Sequence, residues 1–491
     1  MRRLTTIIIA ILLFLPLSGF ADAPTGDVSE PVIKSAVFYY CKTGTGYLGS
    51  IAKNLSFPVG RLDAETLIRE WLNFDGDGLL SRPGSGAALS LAASQPLELS
   101  GSTLTVNLSS SALQLDKSEL YALCQCLTNT LTESGSIKYV NFIVEGHPLS
   151  IDIRGLLPLG AFSRSVGTNV ESAYEILASR RVSADGSAGS QSFDKSITLY
   201  YPALYSRGIL AETRSVSFAG QSAQQVLNTI LSEISKSAQT LSCAIPLPSL
   251  TSFLAAVPSL APVSGGGVKA CFSFTEPLNT ALSQQGVTRS VFLASLCYTV
   301  CTFYPEAMGI DVTIGETHIS NVSPSGVFDG ESRIDFTDYL QQRRSYSGFL
   351  MNTISLYYIE DDHLTEIMRP VQQSAAALPR TTALEWLRGA APYDSKSAVY
   401  PLGAAFYDSD IIGISISGEL LTINFSSAVK NAFLSLDSQR ERLACYALVN
   451  TLCSLPNVRR VQFYFANSDE GELAGGVYWG GDFWLNPGIV R

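Results

Sequence analysis

The stretch Leu421-Thr-Ile-Asn-Phe-Ser426 decides the fold, because related stretches occur at two earlier places in the chain. They are Thr105-Val-Asn-Leu-Ser109 and Cys271-Phe-Ser-Phe-Thr275. Each is rich in β-branched and aromatic residues, which is typical of a β-strand. The copies are separated by the length of an ordinary domain, whereas solenoid repeats have periods of about 20–50 residues. The spacing therefore predicts three domains in tandem.

Other elements recur around this strand in a fixed order. An opening strand comes first, then a helix, a hairpin that contains the quoted stretch, a long apolar helix and a closing strand. The opening strands are Phe38-Tyr-Tyr40, Leu199-Tyr-Tyr201 and Leu356-Tyr-Tyr358. The long helices match through Thr130-Leu131, Thr302-Phe303 and Thr451-Leu452, and the closing strands are 140–144, 310–314 and 461–465.

This order predicts an α/β (α+β) fold of three tandem two-layer α/β domains, each a small mixed sheet with two helices on one face. We place the domains at 36–162, 195–328 and 351–480. Segments 163–192 and 330–347 are interpreted as linkers, and 244–267 as a Pro-rich insertion in the second domain. Trp71 and Trp386 each lie between Glu and Leu on a first helix, so we expect them in equivalent core positions.

The first 23 residues are typical of an export signal. Arg2 and Arg3 form a charged start, an apolar stretch follows, and Ala21-Asp-Ala23 fits a cleavage site. Where a lipoprotein signal requires a Cys, this chain has Phe20. The sequence thus predicts an exported, extracytoplasmic protein, and the alternative is that residues 4–20 remain as an uncleaved membrane anchor.

The composition argues against a nucleic-acid partner and is that of a folded protein. A formal net charge of −10 with 15% charged residues argues against nucleic acid, which favours a basic face. The 46% hydrophobic content is enough for folded cores. Nine cysteines cannot all pair within one chain, and those of the long helices are interpreted as small buried hydrophobes, with stabilising disulfides as the alternative.

A search for chemistry gives no catalytic, cofactor-binding or metal-ligating set. His147 and His318 follow matched closing strands, but the third copy has Asn467 there, so we interpret them as surface residues. His363 is assigned to a solvated loop. The stretch 73–84 begins like a calcium loop, but Gly84 stands where a bidentate Glu is needed, so a helix-ending turn is preferred.

One basic position does return in every copy, as Lys53, Arg214 and Arg369. The structural interpretation is a bridge from this position to a nearby carbonyl or carboxylate, with Glu212 and Glu366 as candidate partners. The alternative is recognition of a partner at a domain face.

Taken in order, these motifs resemble the GerMN family of sporulation and spore-germination domains. The third copy carries the likeness best, through Glu366-Ile-Met-Arg369, Glu385-Trp-Leu-Arg-Gly389, Tyr400-Pro-Leu-Gly403 and Cys445-Tyr-Ala-Leu-Val-Asn-Thr-Leu452. The resemblance implies an envelope protein linked to sporulation or spore germination.

We therefore predict a non-catalytic scaffold without cofactors. Its expected partners are envelope or spore-assembly proteins, with self-association as a further option. The alternative is an extracytoplasmic cell-wall-binding protein or a cell-wall hydrolase.

Overall fold

The computed structural model describes residues 23–59, 61–150, 158–179, 192–204, 208–264, 266–305, 307–324, 333–373, 378–392, 394, 397–469, 471 and 476–491. The predicted signal segment 1–23 and the possible anchor 4–20 lie outside these residues, apart from Ala23. Three copies of one α/β arrangement follow each other, and we call them units 1, 2 and 3. The mixed α/β class is as predicted.

Unit 1 opens with a long antiparallel hairpin and continues with a separate mixed sheet. Its elements, after the short N-terminal strand β1 (Val28–Ser29), are β2 (Val32–Lys42), β3 (Leu48–Phe57), α1 (Asp63–Leu72), β4 (Leu80–Ser81), β5 (Leu97–Ser100), β6 (Thr103–Leu108), α2 (Lys117–Leu131), β7 (Tyr139–Val144), β8 (His147–Pro148), β9 (Phe162–Ser163) and α3 (Val170–Ser179).

Unit 2 repeats the hairpin and the mixed sheet. It consists of β10 (Phe193–Pro202), β11 (Ile209–Phe218), α4 (Ala223–Ile234), β12 (Leu254–Pro262), β13 (Val268–Phe274), α5 (Pro277–Gln284), α6 (Arg289–Phe303), β14 (Ala307–Ile314), β15 (Thr317–His318), β16 (Asn321–Val322) and β17 (Ile334–Asp335).

Unit 3 has the same plan. Its elements are β18 (Met351–Glu360), β19 (His363–Gln372), α7 (Pro379–Leu387), β20 (Ile411–Ser417), β21 (Leu420–Phe425), α8 (Ser427–Leu434), α9 (Ser438–Cys453), β22 (Arg460–Phe465) and β23 (Phe483–Trp484).

The sheet of each unit is built in the same way. An antiparallel hairpin is followed by a parallel strand that the chain reaches through the long helix, as in β5, β6 and β7. The equivalents are β12, β13 and β14 in unit 2 and β20, β21 and β22 in unit 3. The long helix packs against both the opening hairpin and this sheet, so α6 is buried on all sides from Ser290 to Phe303. A helix enclosed by two layers can be apolar around its whole circumference.

Several local predictions were wrong. Gly44, Gly46 and Gly49 predict a loop after the first opening strand, but residues 48–57 form strand β3. The Pro-rich insertion contains the edge strand β12. The supposed linker 163–192 contains helix α3. The similar tails Gly160-Ala-Phe162, Gly326-Val-Phe328 and Gly476-Val-Tyr478 predict a strand that returns to the sheet at the end of each unit. Phe162 does pair with β7, whereas in unit 3 the returning strand is β23, which comes after the predicted tail. Gly326-Val-Phe328 lies outside the described residues.

The second predicted linker, 330–347, contributes buried side chains to the core, although others in its described part are exposed. Tyr346 is completely buried and belongs with Phe336 and Phe349 to the apolar cluster of unit 2. The buried apolar side chains form three large clusters, and each cluster takes most of its members from one unit. The domain bounds stated above remain a proposal.

Candidate functional site

The repeated tyrosines use their backbone to attach the opening strand to the long helix. Tyr39 N donates to Thr130 Oγ1 at 3.0 Å, and Trp71 Nε1 donates to Tyr39 O at 2.8 Å. In unit 3 the same contacts join Tyr357 to Thr451 at 2.9 Å and to Trp386 at 3.1 Å. The outer edge of each strand is thereby satisfied by helix side chains, which is required of buried backbone groups.

The prediction that Trp71 and Trp386 fill equivalent core positions is confirmed, since both are completely buried. Unit 2 satisfies its strand differently. Tyr200 N donates to Thr299 Oγ1 at 3.0 Å, and Ser295 Oγ donates to Tyr200 O in place of a tryptophan. The match of unit 2 through Thr302 was therefore wrong by about one helical turn.

The recurring basic residue also serves its own unit. Lys53 Nζ lies 2.7 Å from Glu70 Oε1, and Arg214 Nη2 donates to Glu233 O at 2.6 Å. Arg369 Nη1 donates to Glu385 O at 2.8 Å. The bridge to a carbonyl or carboxylate is confirmed, but the acceptors are the glutamates at the ends of the first helices. Of the two carboxylates named from the sequence, Glu212 also pairs with Arg214.

Glu212 accepts mainly from the backbone nitrogens of Gln239 and Thr240, and its Oε1 is 3.9 Å from Arg214 Nη1. Glu366 accepts from Ser355. Both carboxylates thus have local structural partners.

The three units meet at Ser100, at the end of β5. Its hydroxyl donates to Met351 O of unit 3 at 2.6 Å and accepts from Ala211 N of unit 2 at 2.9 Å. Gly101, at φ +57°, follows in the hairpin turn and donates to Asn352 Oδ1 at 2.9 Å. A Cβ on this glycine would lie 3.2 Å from Ala211 O, so the close approach of the units favours glycine. We call this contact the three-way junction.

A buried ion pair lies near the junction. Arg343 donates to Glu98 Oε2 and to the hydroxyl of Thr302, and Tyr298 donates to Glu98 Oε1 at 3.1 Å. The guanidinium lies 4.0 Å from the centre of the Tyr298 ring. Glu98 and Arg343 are 6% and 4% exposed. Burial, together with the Glu98 carboxylate, raises the pKa of Tyr298, which keeps its hydroxyl protonated as a donor.

A cavity of about 190 Å³ opens beside this pair at the seam between units 1 and 2. Its polar lining includes Glu98, Asn107, Glu145, His147 and Arg344. Both oxygens of Glu98 are engaged by Tyr298 and Arg343, so Glu145 is the carboxylate on this wall that is open to solvent. Paired glycosidase carboxylates need one group that can be protonated and one that can attack or activate water, and the buried ion pair does not suit Glu98 to either role.

The histidines fall in three different environments. His147 lines the cavity and is half-buried, and burial lowers its pKa. His318 is paired with Asp311 and stacks on Tyr339 with ring centres 3.6 Å apart. His363 was wrongly assigned to a solvated loop, since it begins β19 and its side chain is 13% exposed.

The acidic stretch 73–84 is a structural turn. Asp77 Oδ1 accepts from the backbone nitrogens of Leu79 and Leu80, and Arg82 donates to Phe74 O at 3.0 Å. Within the described ranges, no three or more His, Cys, Asp or Glu side chains converge in a metal-binding group. All nine cysteines are free thiols. Those of the long helices are buried as expected, except Cys453 at the end of α9, which is partly exposed.

A family model described as Germane, sporulation and spore germination, matches residues 39–150 and 355–470, which are units 1 and 3. These two segments of the chain are similar to the Germane family. The matched ranges do not include unit 2, which resembles units 1 and 3 in the order and pairing of its strands.

Two solved structures are similar to parts of the chain. The tandem GerMN domains of the sporulation protein GerM from Bacillus subtilis are 11% identical and cover 59% of this chain and 98% of their own, with a TM-score of 0.22. A candidate lipoprotein from Clostridium perfringens is 14% identical and covers 27% of this chain and 87% of its own, with a TM-score of 0.19. No curated protein matched the sequence.

In the described part of the chain, no single helix has both the length and the apolarity to cross a bilayer. One pair, α5 with α6, meets the composition when taken together, but the two helices are bent by 98°.

Proposed function

We propose that this protein, whose units 1 and 3 match the Germane model, is an exported component of the bacterial envelope. In this proposal it assembles with other proteins during sporulation or spore germination and turns over no substrate. The family supports the link to sporulation or germination, and the charged and apolar start of the sequence supports export. The observation that carries the proposal is the joining of three similar units into one body.

Three sets of contacts hold this body together. The first two are the three-way junction and the Glu98–Arg343 pair. The third is the N-terminal segment 24–30, which we call the clasp. Strand β1 of the clasp pairs in parallel with β20 of unit 3, and Asp27 forms an ion pair with Arg380 at 2.7 Å. The clasp joins the N-terminal segment to unit 3, the three-way junction joins all three units, and the ion pair joins units 1 and 2. Together these contacts fix the units relative to each other, as a scaffold requires.

The docking surface that we favour consists of exposed side chains in and near β23 of unit 3, and we call it the aromatic patch. Tyr478, Trp484 and Leu485 are 67%, 60% and 48% exposed, and the guanidinium of Arg460 lies 5.6 Å from the centre of a Trp484 ring. Aromatic residues and Arg are enriched where proteins bind one another. The edge of β12 is less suitable, because Pro258 and a register shift interrupt its pairing pattern.

A binding experiment tests this assignment. Purified full-length protein is immobilised and incubated with envelope extract, and bound proteins are quantified against the variant W484A. The matched control is Y407A, which removes another exposed aromatic ring from unit 3. Specific partners lost with W484A and kept with Y407A would support the proposal, whereas equal recovery with both variants would contradict the patch. Sedimentation of the protein alone shows whether the partner is a second copy.

The hydrolase alternative has its own assay. Release of soluble fragments from purified peptidoglycan by the wild-type protein, abolished in the variant E145Q, would overturn the proposal of a protein without turnover. Glu145 is the appropriate carboxylate because it lines the cavity and is exposed.

A further inference from the structure

Two pairs of cysteine sulfurs lie at the same distance in this protein. Cys41 Sγ is 3.9 Å from Cys126 Sγ, and Cys297 Sγ is 3.9 Å from Cys301 Sγ. A disulfide requires about 2.05 Å between the sulfurs, so rotation of the side chains has to close the remaining gap in either pair. The two pairs differ in which elements they join and in their access to solvent.

The first pair joins two elements of unit 1. Cys41 lies near the end of strand β2, and Cys126 lies in the middle of helix α2, 85 positions later. Cys41 is partly exposed, whereas Cys126 is completely buried directly behind it. An oxidant from solvent therefore reaches Cys41 first, and the only thiol that Cys41 contacts in the described structure is that of Cys126.

The electrostatics favour the same order of events. The hydrogen bond from the Cys126 thiol lowers the pKa of Cys41, which increases its share of the nucleophilic thiolate. Burial raises the pKa of Cys126 well above its ordinary value. Cys41 is thus the attacking sulfur, and Cys126 becomes reactive once its neighbour carries a good leaving group.

We propose that Cys41 and Cys126 are a disulfide-forming site, oxidised by thiol–disulfide exchange with a small disulfide compound. The Cys41 thiolate attacks one sulfur of the oxidant, which breaks the oxidant's S–S bond, releases one thiolate and leaves a mixed disulfide on Cys41. Cys126 then loses its proton and attacks Cys41 Sγ, which releases the second thiolate. The protein loses two protons and two electrons, and the oxidant becomes two thiols.

The second pair is the internal control. Cys297 and Cys301 lie on successive turns of α6, both are buried, and Cys297 Sγ donates to Gln341 O at 3.3 Å. An oxidant cannot reach either sulfur without unfolding of unit 2. Equal sulfur separation with unequal access predicts that only the first pair reacts in the folded protein.

Use of this site in the cell rests on the proposed export, because disulfides persist in oxidising compartments outside the cytoplasm. The two ideas can fail separately. A cross-link that forms in purified protein but is absent from protein isolated under thiol-trapping conditions would contradict the location. Absence of the cross-link in purified protein would contradict the chemistry.

The experiment uses the reduced full-length chain and glutathione disulfide as oxidant. After incubation, the protein is denatured, free thiols are alkylated, and intact mass and peptide mapping count the nine cysteines. We expect loss of two hydrogens, a linked Cys41–Cys126 peptide and an increased urea midpoint, because the link constrains the unfolded chain. C126S should retain glutathione on Cys41, and C297S should behave as wild type.

Three results would overturn the proposal. They are nine alkylated thiols after full exposure to the oxidant, a glutathione adduct on Cys41 that persists in the wild-type chain, and a cross-link between Cys297 and Cys301 in its place.

Discussion

Replacement of Arg343 by Met should strongly destabilise the contact between units 1 and 2. The methionine keeps much of the length of the side chain but removes the partners of the guanidinium, including Glu98 and the Tyr298 ring at 4.0 Å. The Glu98 carboxylate then stays buried with Tyr298 as its remaining donor. Removal of one member of a buried ion pair costs about 3–5 kcal/mol, because the other charge is left without compensation.

Equilibrium unfolding in urea, followed by tryptophan fluorescence and by circular dichroism, measures this loss. E98Q removes the opposite charge with little change of shape, so the double variant E98Q/R343M tests the coupling. We expect the double variant to lose at least about 1 kcal/mol less than the sum of the two single variants. The control is R460M, which breaks the more exposed pair of Arg460 with Asp482 and should cost under about 1 kcal/mol.

A loss of unfolding free energy in R343M no larger than that in R460M would refute this account of the Glu98–Arg343 pair. So would strict additivity of E98Q and R343M, since additivity would mean that the two groups do not act on each other. Different unfolding midpoints from the two optical probes would show that the protein does not unfold in a single cooperative step.

Three further predictions concern other contacts. W386A should lower the free energy of unfolding by about 3–5 kcal/mol through the cavity that it leaves. W386F keeps an aromatic ring but not the donor to Tyr357, so it should lower this free energy much less, and urea titration distinguishes the two variants. Burial lowers the pKa of His147 below its ordinary 6.5, so the unfolded chain takes up the proton first and stability should fall as the pH drops below 6.5. Urea midpoints measured against pH should show a smaller fall in the variant H147N. D27N breaks the partly exposed pair with Arg380 and should change global stability by under about 1 kcal/mol, while hydrogen exchange at Ile414, whose amide donates to Asp27, becomes faster.

The recurrence of the strands and helices could be predicted from sequence because hydrophobic period and order are local properties. Gly101-Ser102 and Gly418-Glu419 predict the turns of two of the hairpins, and the hairpins do turn there, at 97–108 and 411–425. The threonine at the end of the long helix was also visible as a recurring residue. Its acceptor role towards the middle tyrosine of the opening strand was not, because that contact depends on how a helix packs on a strand far away in sequence.

The polar segments were the main source of error, and the reason is physical. The stretch that includes Gln341 and Arg343 has the composition of a linker, yet both side chains are almost fully buried. Arg343 is compensated by Glu98 of unit 1, which is 245 positions away, and Gln341 accepts a hydrogen bond from Tyr346 of its own segment. A polar side chain is normally expected at the surface, and only the folded structure shows which distant group satisfies it.

The clasp has a consequence for the order of events during synthesis. Its Pro24 carbonyl accepts from Asn424, so the clasp cannot complete its contacts until a strand 400 positions later has been translated. Contacts of such sequence separation form slowly, because a long loop must close before they contribute. Units 1 and 2 can form their own cores while the rest of the chain is still being made. Assembly of the three units into one body requires unit 3. We therefore expect folding to end with the docking of the clasp onto the sheet of unit 3.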